Sequence, residues 1–319
     1  IVAAFLTGAA NVHKGAFAGH VRGAREEHGQ SFRRLIEGLV TYSPGLCQTL
    51  GNGSRLLVVH DLPEAAVRSW QPRAEDGIEL HRVAPDPEVP NDSRWPLFDE
   101  LLRRDARWDC AYAIDLTDVR VLAMPPCAAL AAQRSLVMLA DDTHHCCRRG
   151  IKTWLGYKAH ETRYNDTWSD ELRRFVRDHG QFKHEMWNCG TVGGPRDVFL
   201  PLLGNVSAMM RAHWARRPRP PAAAGLDMLL WNQVAIWRRQ AREALVTGYP
   251  FGPANLPPNQ FGPWAHVTGT TCTAACRVGF FNATAGRFWF THKPTGKLLA
   301  WYQRWAPCEQ RKTRAGGGT

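Results

Sequence analysis

Two aspartates stand three positions apart at the end of an apolar run, in the stretch CAYAIDLTDV that covers residues 110–119. A buried carboxylate without a partner costs too much free energy to be retained as filler. Asp115 and Asp118 are therefore solvated in a turn, paired with a basic side chain such as Arg120, or bound to a cation. Hard divalent cations prefer oxygen ligands, so the third alternative predicts a Mg²⁺ or Mn²⁺ site.

A second candidate segment is rich in glycine. The stretch WNCGTVGG, residues 187–194, has glycines at positions 190, 193 and 194. Glycine lets the backbone approach a ligand closely or adopt a positive φ, so the segment could be a ligand-binding loop. The alternative is a glycine turn before the helix VFLPLL. A dinucleotide site or a P-loop is disfavoured, because neither Gly-x-Gly-x-x-Gly nor Gly-Lys-Ser/Thr occurs in it.

Four further side chains could take part in chemistry. Asp227, in the stretch GLDMLLWNQ, is either a reactive carboxylate or the N-cap of a helix. His292 follows an aromatic run and is either a metal ligand or a strand-end histidine bonded to a backbone carbonyl. Asp141 and Asp142 end the apolar run LVMLADD and either bind a ligand or are solvated. The sequence leaves each of these alternatives open.

The elements that must position these residues alternate between strand and helix. Apolar residues at helical spacing predict helices within 31–42, 95–102 and 172–176, the first with Ser31 as its N-cap. Two aromatic runs near the end predict a C-terminal hairpin. Five short apolar runs have the length of strands, at 1–6, 55–60, 78–84, 110–115 and 135–140, and the hairpin runs are 277–281 and 287–291.

Strands separated by helices predict an α/β fold with a mixed, mainly parallel sheet flanked by helices. In such sheets ligands gather beyond the carboxyl ends of the strands, where Asp115 and Asp118 stand. The length of 319 residues and the hydrophobic content of 44% favour a single domain over residues 1–305. We predict that the basic, Gly-rich tail, 306–319, is disordered. No run approaches the roughly 20 apolar residues of a membrane span, so we expect membrane attachment only through an anchor absent from this chain.

The formal net charge of +11 would attract a phosphate-bearing or acidic partner. Much of this excess lies in the arginine-rich runs 215–220 and 309–314, which are most simply a linker and a tail. We expect no nucleic acid partner, because no zinc finger, helix-turn-helix or aromatic RNA-binding signature accompanies these runs.

Nine cysteines accompany five Asn-x-Ser/Thr sequons, at Asn52, Asn91, Asn165, Asn205 and Asn282. Together they predict a glycoprotein with disulfide bonds in an oxidising lumen, and Cys272 and Cys276 are close enough to bridge a loop. The odd cysteine count leaves at least one thiol free. A structural zinc site is disfavoured, because the stretch HHCC, residues 144–147, lacks a separated second pair of ligands.

The order of these segments resembles that of one family. An early strand and helix precede AIDLTDV, LVMLADD, WNCGTVGG, GLDMLLWNQ and, near the end, THKP. This order is similar to that of nucleotide-sugar-dependent glycosyltransferases of the GT-A fold, which carry a TDVRDV-like metal motif and a later N/C-x-G-x-x-G-G loop. The resemblance covers about residues 1–300. It departs from the family's Asp-x-Asp pattern, because two residues separate Asp115 from Asp118.

The resemblance implies a Rossmann-type GT-A sheet and a role for each matching residue. Asp115, Asp118 and His292 would bind Mn²⁺ or Mg²⁺, a Lewis acid that neutralises the charge developing on a nucleoside diphosphate. Asp227 would be the catalytic base if the reaction inverts the anomeric carbon, and would hold donor hydroxyl groups if the reaction retains it. The residues implied to bind the donor are Asn188, Gly190, Gly193, Gly194 and Asn232.

The implied activity is that of a hexosyl- or pentosyltransferase. It would move a sugar from a nucleotide-diphosphate sugar to a glycan or glycoprotein acceptor, in the Golgi or elsewhere in the secretory lumen. The alternative is a non-catalytic carbohydrate- or nucleotide-sugar-binding protein of the same fold. A hydrolase is disfavoured because Gly-x-Ser-x-Gly is absent. A sulfotransferase is disfavoured because the early stretch TGAANVHKGA has the wrong spacing for a phosphate-binding loop.

Overall fold

Strands and helices alternate along the parts of the chain that the structure describes. The computed structural model describes residues 1–6, 25–41, 43–68, 70, 72, 74–84, 90–116, 119–140, 174, 187–215, 226–248 and 289–292. The strands within these ranges are β1 (Val2–Phe5), β2 (Leu56–His60), β3 (Ile78–Arg82), β4 (Cys110–Ile114), β5 (Val119–Val121), β6 (Leu136–Ala140), β7 (Trp187–Pro195), β8 (Leu245–Gly248) and β9 (Phe290–His292). The helices are α1 (Arg25–Thr41), α2 (Pro44–Thr49), α3 (Glu64–Val67), α4 (Pro90–Arg104), α5 (Cys127–Ala132), α6 (Arg196–Ala215) and α7 (Leu226–Gln240).

Seven strands form one sheet, in the order β3-β2-β1-β4-β7-β6-β8. Six of them point the same way, and β7 runs antiparallel between β4 and β6. Helices connect the successive parallel strands β1 to β4, as parallel pairing requires, because a short turn cannot return the chain to the same end of the sheet. The predicted α/β fold with a mixed, mainly parallel sheet is confirmed.

Successive residues of the strands face two different helical layers. Val2 and Ala111 pack on the side of the sheet that α4, α6 and α7 cover, whereas Ala3 and Tyr112 pack on the side that α1, α2 and α5 cover. This alternation follows from the two-residue period of a strand. Both faces of the sheet are therefore buried, as in other sheets built from parallel strands.

The predicted helices agree with α1 and α4 in their buried faces. Phe32, Ile36 and Leu39 are all fully buried, and so is the Trp95 face of α4. Helix α1 begins at Arg25, so the prediction that Ser31 is its N-cap was wrong. The apolar spacing fixes which face of a helix is buried, whereas the start depends on tertiary contacts. The helix predicted over 172–176 lies outside the described residues, apart from residue 174.

The glycine-rich segment is a central strand, so the prediction of a loop or turn there was wrong. A Cβ atom on Gly193 would lie 2.2 Å from the carbonyl oxygen of Ala111, and one on Gly194 would lie 2.7 Å from that of Ser135. These glycines let β7 fit between two strands at close range. Glycine is thus needed here for the approach of neighbouring backbones.

The last described strand joins a small second sheet. β9 pairs with β5 in antiparallel fashion, with Phe290 opposite Val121 and His292 opposite Val119. Phe290 is fully buried and contacts the ring of Tyr112 at a centroid distance of 5.6 Å. The predicted C-terminal hairpin partner of this strand, 277–281, lies outside the described residues.

A disulfide joins Cys110 at the start of β4 to Cys127 at the start of α5. It closes the stretch of chain that carries both Asp115 and Asp118. Cys189 is a free, buried thiol, in keeping with the odd number of cysteines. The loop bridge predicted between residues 272 and 276 lies outside the described residues. None of the helices in the described ranges combines the length and the apolar character that crossing a membrane requires.

Candidate functional site

Arg94 joins the two aspartates that the sequence singled out from opposite halves of the chain. Its Nη1 donates to Oδ1 of Asp115, and its Nη2 donates to Oδ2 of Asp227 at 3.0 Å. The side chains of Arg94, Asp115 and Asp227 are only 14%, 24% and 7% exposed, respectively. Ion pairs so poorly hydrated are screened much less by salt than pairs at the surface. We call these three residues the Arg94 cluster.

Three different elements bring the Arg94 cluster together at one end of the sheet. Asp115 directly follows β4, and its backbone N–H donates to the carbonyl of Gly190 in β7 at 2.9 Å. Arg94 projects from the first turns of α4, and its guanidinium lies 4.9 Å from the centre of the Trp95 ring. Asp227 lies in the first turn of α7. The cluster therefore stands at the carboxyl end of a parallel strand, where ligands of α/β sheets gather.

The Asp115 carboxylate has a basic partner, as one of the sequence alternatives required, although the partner is Arg94. The alternative partner Arg120 donates from Nη1 to the carbonyl of Val119 at 2.8 Å. Burial lowers the pKa of Arg94, but the charges of Asp115 and Asp227 raise it by more, so the net shift is upward. The guanidinium therefore stays charged and balances two carboxylates.

The Asp227 carboxylate receives donors on both oxygens. Oδ1 accepts from the backbone N–H of Met228 at 2.7 Å. Besides Arg94, Oδ2 accepts from Trp95 Nε1 at 3.5 Å and from the Cys189 thiol at 3.3 Å. Oδ2 therefore accepts from three donors and Oδ1 from one, so the protein engages both oxygens. The arrangement holds the Asp227 side chain in a fixed orientation.

Cys189 contributes a neutral thiol to the same place. Burial, followed by the charge of Asp227, raises its pKa well above the usual value, so the sulfur keeps its proton and can donate it. The Arg94 guanidinium lies 3.6 Å from Sγ, and the Cys189 backbone N–H donates to Sδ of Met228 at 3.4 Å. β7 is thereby attached to the first turn of α7 through two contacts of one residue.

Asp227 is not the residue that caps α7. The cap is the carboxylate of Asp92 on α4, which is fully buried and accepts from the N–H groups of Leu226 and Asp227 at 3.3 and 3.2 Å. Burial and then the charge of Asp227 raise the pKa of Asp92 to about 8, against the opposing effects of these N–H groups and of Arg94. Helix α4 therefore contacts α7 in two ways. Asp92 accepts from two backbone N–H groups of α7, and Arg94 donates to the side chain of Asp227.

The predicted metal ligands are described only in part. Asp118 lies outside the described residues, and of His292 only the backbone is described. That backbone is paired with Val119, the residue that follows Asp118 in the chain. The β5–β9 pairing therefore brings the main chain at His292 beside the main chain that follows the acidic motif, although the sequence separates them widely.

The donor set fits a hard divalent cation in its chemistry. Carboxylate oxygens are preferred ligands of Mn²⁺ and Mg²⁺, and Asp115 keeps partial access to solvent. Within the described ranges, however, His, Cys, Asp and Glu side chains form no group of three or more that could hold a metal ion. A complete site would depend on Asp118 and on the side chain of His292.

The residues implied to bind the donor have different surroundings. Asn232 is 2% exposed, and its Nδ2 donates to the carbonyls of Trp187 and Met228 at 2.8 and 2.7 Å, while its Oδ1 accepts from the Trp187 N–H at 3.0 Å. Its amide thus joins α7 to the start of β7. Asn188 follows in β7, with its backbone opposite Leu139. Gly190 lies beside Asp115, whereas Gly193 and Gly194 lie farther along the strand. Asp141 and Asp142 lie outside the described residues.

The site residues predicted from the sequence do not include Arg94, Asp92 or Cys189. No local pattern marks the first two, because residues 91–94 are all polar, as is usual in the first turn of a helix. No local pattern distinguishes Cys189 from a structural cysteine.

A large cavity among the described residues lies elsewhere. It has a volume of about 830 Å³ and lies at the amino end of β4, beside Trp108, Arg103, Cys127, Pro195 and Arg196. Arg196 stacks over Trp108 there, with its guanidinium 4.9 Å from the ring centre. The strand separates this cavity from Asp115. We therefore place the candidate site by its charged groups, because volume alone does not indicate chemistry.

Comparison with protein families and curated proteins does not assign a function to these residues. No protein-family model matches the chain, and no curated protein matches it.

Proposed function

We propose that this protein is a metal-dependent glycosyltransferase of the GT-A fold, acting on a nucleotide-diphosphate sugar and a glycan or glycoprotein acceptor. The observation that carries the proposal is the convergence of Asp115 and Asp227 on Arg94 at the carboxyl end of β4. The resemblance implies a site role for both aspartates, which lie far apart in the sequence. The mixed, mainly parallel sheet is the kind of scaffold that the resemblance implies and supports the proposal further.

The Arg94 cluster suits recognition of a sugar next to a diphosphate. A guanidinium offers several donors in a planar fork and binds hydroxyl and phosphate oxygens, while carboxylates accept from sugar hydroxyl groups. Mn²⁺ or Mg²⁺ bound by Asp115, Asp118 and His292 would supply the charge that a departing nucleoside diphosphate needs. The protein residues would orient the donor and exclude water from its anomeric carbon.

The surroundings of Asp227 favour one of its two predicted roles. A general base needs a free lone pair directed at the proton that it removes. Oδ2 of Asp227 already accepts from three protein donors, one of them Arg94, and Oδ1 accepts from the Met228 N–H. We therefore propose that Asp227 orients Arg94 and the donor hydroxyl groups, which is the role implied for a reaction that retains the anomeric configuration.

The disulfide between Cys110 and Cys127 is compatible with the proposed secretory lumen, where thiols oxidise and sequons are glycosylated. Asn52, one of the five sequon asparagines, lies exposed on a turn. Glycosylation and an oxidising compartment would both follow from a Golgi location.

The decisive experiment measures release of nucleoside diphosphate from a panel of nucleotide sugars, with Mn²⁺, with Mg²⁺ and with a chelator. We expect one donor to be hydrolysed or transferred at a metal-dependent rate, with the product showing retained anomeric configuration by NMR. Turnover that is unchanged by the chelator would exclude the metal, and absence of turnover with every donor would exclude the transferase.

A non-catalytic binding protein of the same fold is the second candidate, and one observation favours it. The guanidinium of Arg94 already neutralises Asp115, the one predicted metal ligand whose side chain is described. A cation beside Arg94 would be repelled by it. Titration calorimetry separates the candidates, since a binding protein would bind a nucleotide sugar without turnover and without a requirement for metal.

A further inference from the structure

Asp92 holds the first turn of α7 from a neighbouring helix. The first N–H groups of a helix have no partner inside it, and a residue just before the helix usually supplies one. Here Oδ2 of Asp92 accepts from Leu226 and Oδ1 from Asp227. Because Asp92 is fully buried, water cannot replace these contacts.

We infer that Asp92 is a positioning residue of the candidate site, because it fixes the place from which the Asp227 carboxylate faces Arg94. Asp92 contacts the backbone of Asp227, and Arg94, two residues later on α4, contacts its carboxylate. Two contacts from one helical turn determine both the position and the orientation of Asp227. This inference rests on the proposed function only for its catalytic consequence, since the contacts themselves do not depend on it.

The charges around Asp92 give the inference a signature that can be measured. The charged groups that act on it are Asp227 on α7 and Arg94 on its own helix. Ionisation of Asp92 places a third carboxylate near Arg94, and the charge of Asp227 opposes that ionisation. We expect the first turn of α7 to shift as the pH rises through about 8, where the pKa of Asp92 lies.

Trp95 is a natural reporter of that shift. Its indole N–H points at Oδ2 of Asp227 over 3.5 Å, so its chemical shift depends on where that carboxylate lies. The Trp95 indole signal can be identified in a ¹⁵N–¹H spectrum of the full chain by its loss in the Trp95→Phe variant. This readout requires neither substrate nor turnover.

The experiment compares wild type with Asp92→Asn, Asp92→Ala and Asp99→Asn. Asp99 is the matched control, because it is a buried acid on the same helix that pairs with Arg103 instead of contacting α7. We expect the Trp95 signal to titrate with a midpoint near pH 8 in wild type and Asp99→Asn, and to stay flat in Asp92→Asn. In Asp92→Ala we expect the signal to be displaced at every pH.

Activity supplies the second readout. The activity assay uses the donor that the nucleotide-sugar panel identifies. We expect Asp92→Ala to lower kcat at least tenfold with less than a threefold change in KM, because Asp92 does not touch the donor. Asp92→Asn keeps an accepting oxygen, so we expect it to retain most of the wild-type kcat. Because the amide cannot ionise, the change in the Trp95 signal near pH 8 should be absent. Should the Trp95 titration persist in Asp92→Asn, the inference is overturned even if the transferase is real. Should no donor react, the proposed function fails while the Trp95 titration still decides the role of Asp92.

Discussion

Asp115 and Asp227 each accept a hydrogen bond from one of the two terminal nitrogens of Arg94. One residue ends a strand of the first half of the chain, and the other begins a helix of the second half. Their charges would repel each other without the guanidinium between them. The candidate site is therefore a three-residue arrangement in which the arginine makes the proximity of the acids possible.

Replacing Arg94 by lysine should abolish turnover while keeping one positive charge. An ammonium is compact and cannot bridge two carboxylates as a planar guanidinium does. We expect nucleoside diphosphate release to fall at least 100-fold and the free energy of unfolding to fall by about 1–3 kcal/mol in urea titrations. Arg104→Lys, an exposed ion pair on the same helix, is the control and should behave as wild type. Wild-type turnover by Arg94→Lys would remove the arginine from the site.

Asp115→Asn and Asp118→Asn should each abolish metal-dependent turnover and leave the chain folded. Asp115 keeps partial solvent access, so the neutral amide of the asparagine variant can be hydrated and the fold is kept. Removing the carboxylate charge weakens the attraction of a cation. Circular dichroism checks the fold, and Mn²⁺ titration calorimetry checks binding. The control is Asp105→Asn, because the Asp105 side chain is 22% exposed, much like that of Asp115, and pairs with Arg107. Full activity of the double variant would exclude these acids as metal ligands.

Asn232→Ala should act on stability more than on donor affinity. The change leaves the backbone N–H and carbonyl of Trp187 without their partner in a buried place. We expect a loss of about 2–4 kcal/mol in the free energy of unfolding, measured by urea titration. Gln240→Ala, at the exposed end of α7, is the control. A raised donor KM with unchanged stability would instead support the implied role of Asn232 in donor binding.

The free energy of unfolding should fall as the pH rises from about 4 to about 8. Asp92 binds a proton in the folded protein over this range, because its pKa is raised to about 8, whereas the unfolded chain has already released it. The stability that the protonated group contributes is thus complete at low pH and is lost toward pH 8. Asp92→Asn should flatten this dependence, with Asp99→Asn as the control. A wild-type slope retained by Asp92→Asn would refute the assignment.

Glycosylation should be found at Asn52 when the protein is expressed through a eukaryotic secretory route. Asn52 is exposed on a turn, whereas the sequon at Asn205 lies within α6 and its Ser207 is buried. Mass spectrometry before and after endoglycosidase treatment locates the glycan, and Ser54→Ala should remove it. An unmodified Asn52 in secreted protein would count against the luminal prediction.

Local sequence was enough to predict the α/β class and several elements. The five predicted strands of the first half correspond to β1, β2, β3, β4 and β6, and the buried faces of α1 and α4 follow the apolar spacing. These features depend on which neighbours in the chain share a face, and that information is local. The placement of Asp115 at a strand end could be predicted for the same reason.

Tertiary structure alone decided that the glycine-rich segment is a strand and which charged residues meet at the candidate site. The segment of β7 has the composition of a turn, and it becomes a strand because β4 and β6 approach so closely that only glycine fits between them. Asp92 and Arg94 look like ordinary charges at the start of a helix until α7 packs against them. The sequence determined which residues could carry charge and which faces were apolar. Only packing between distant segments, which no local period encodes, could determine that Arg94 balances Asp115 and Asp227.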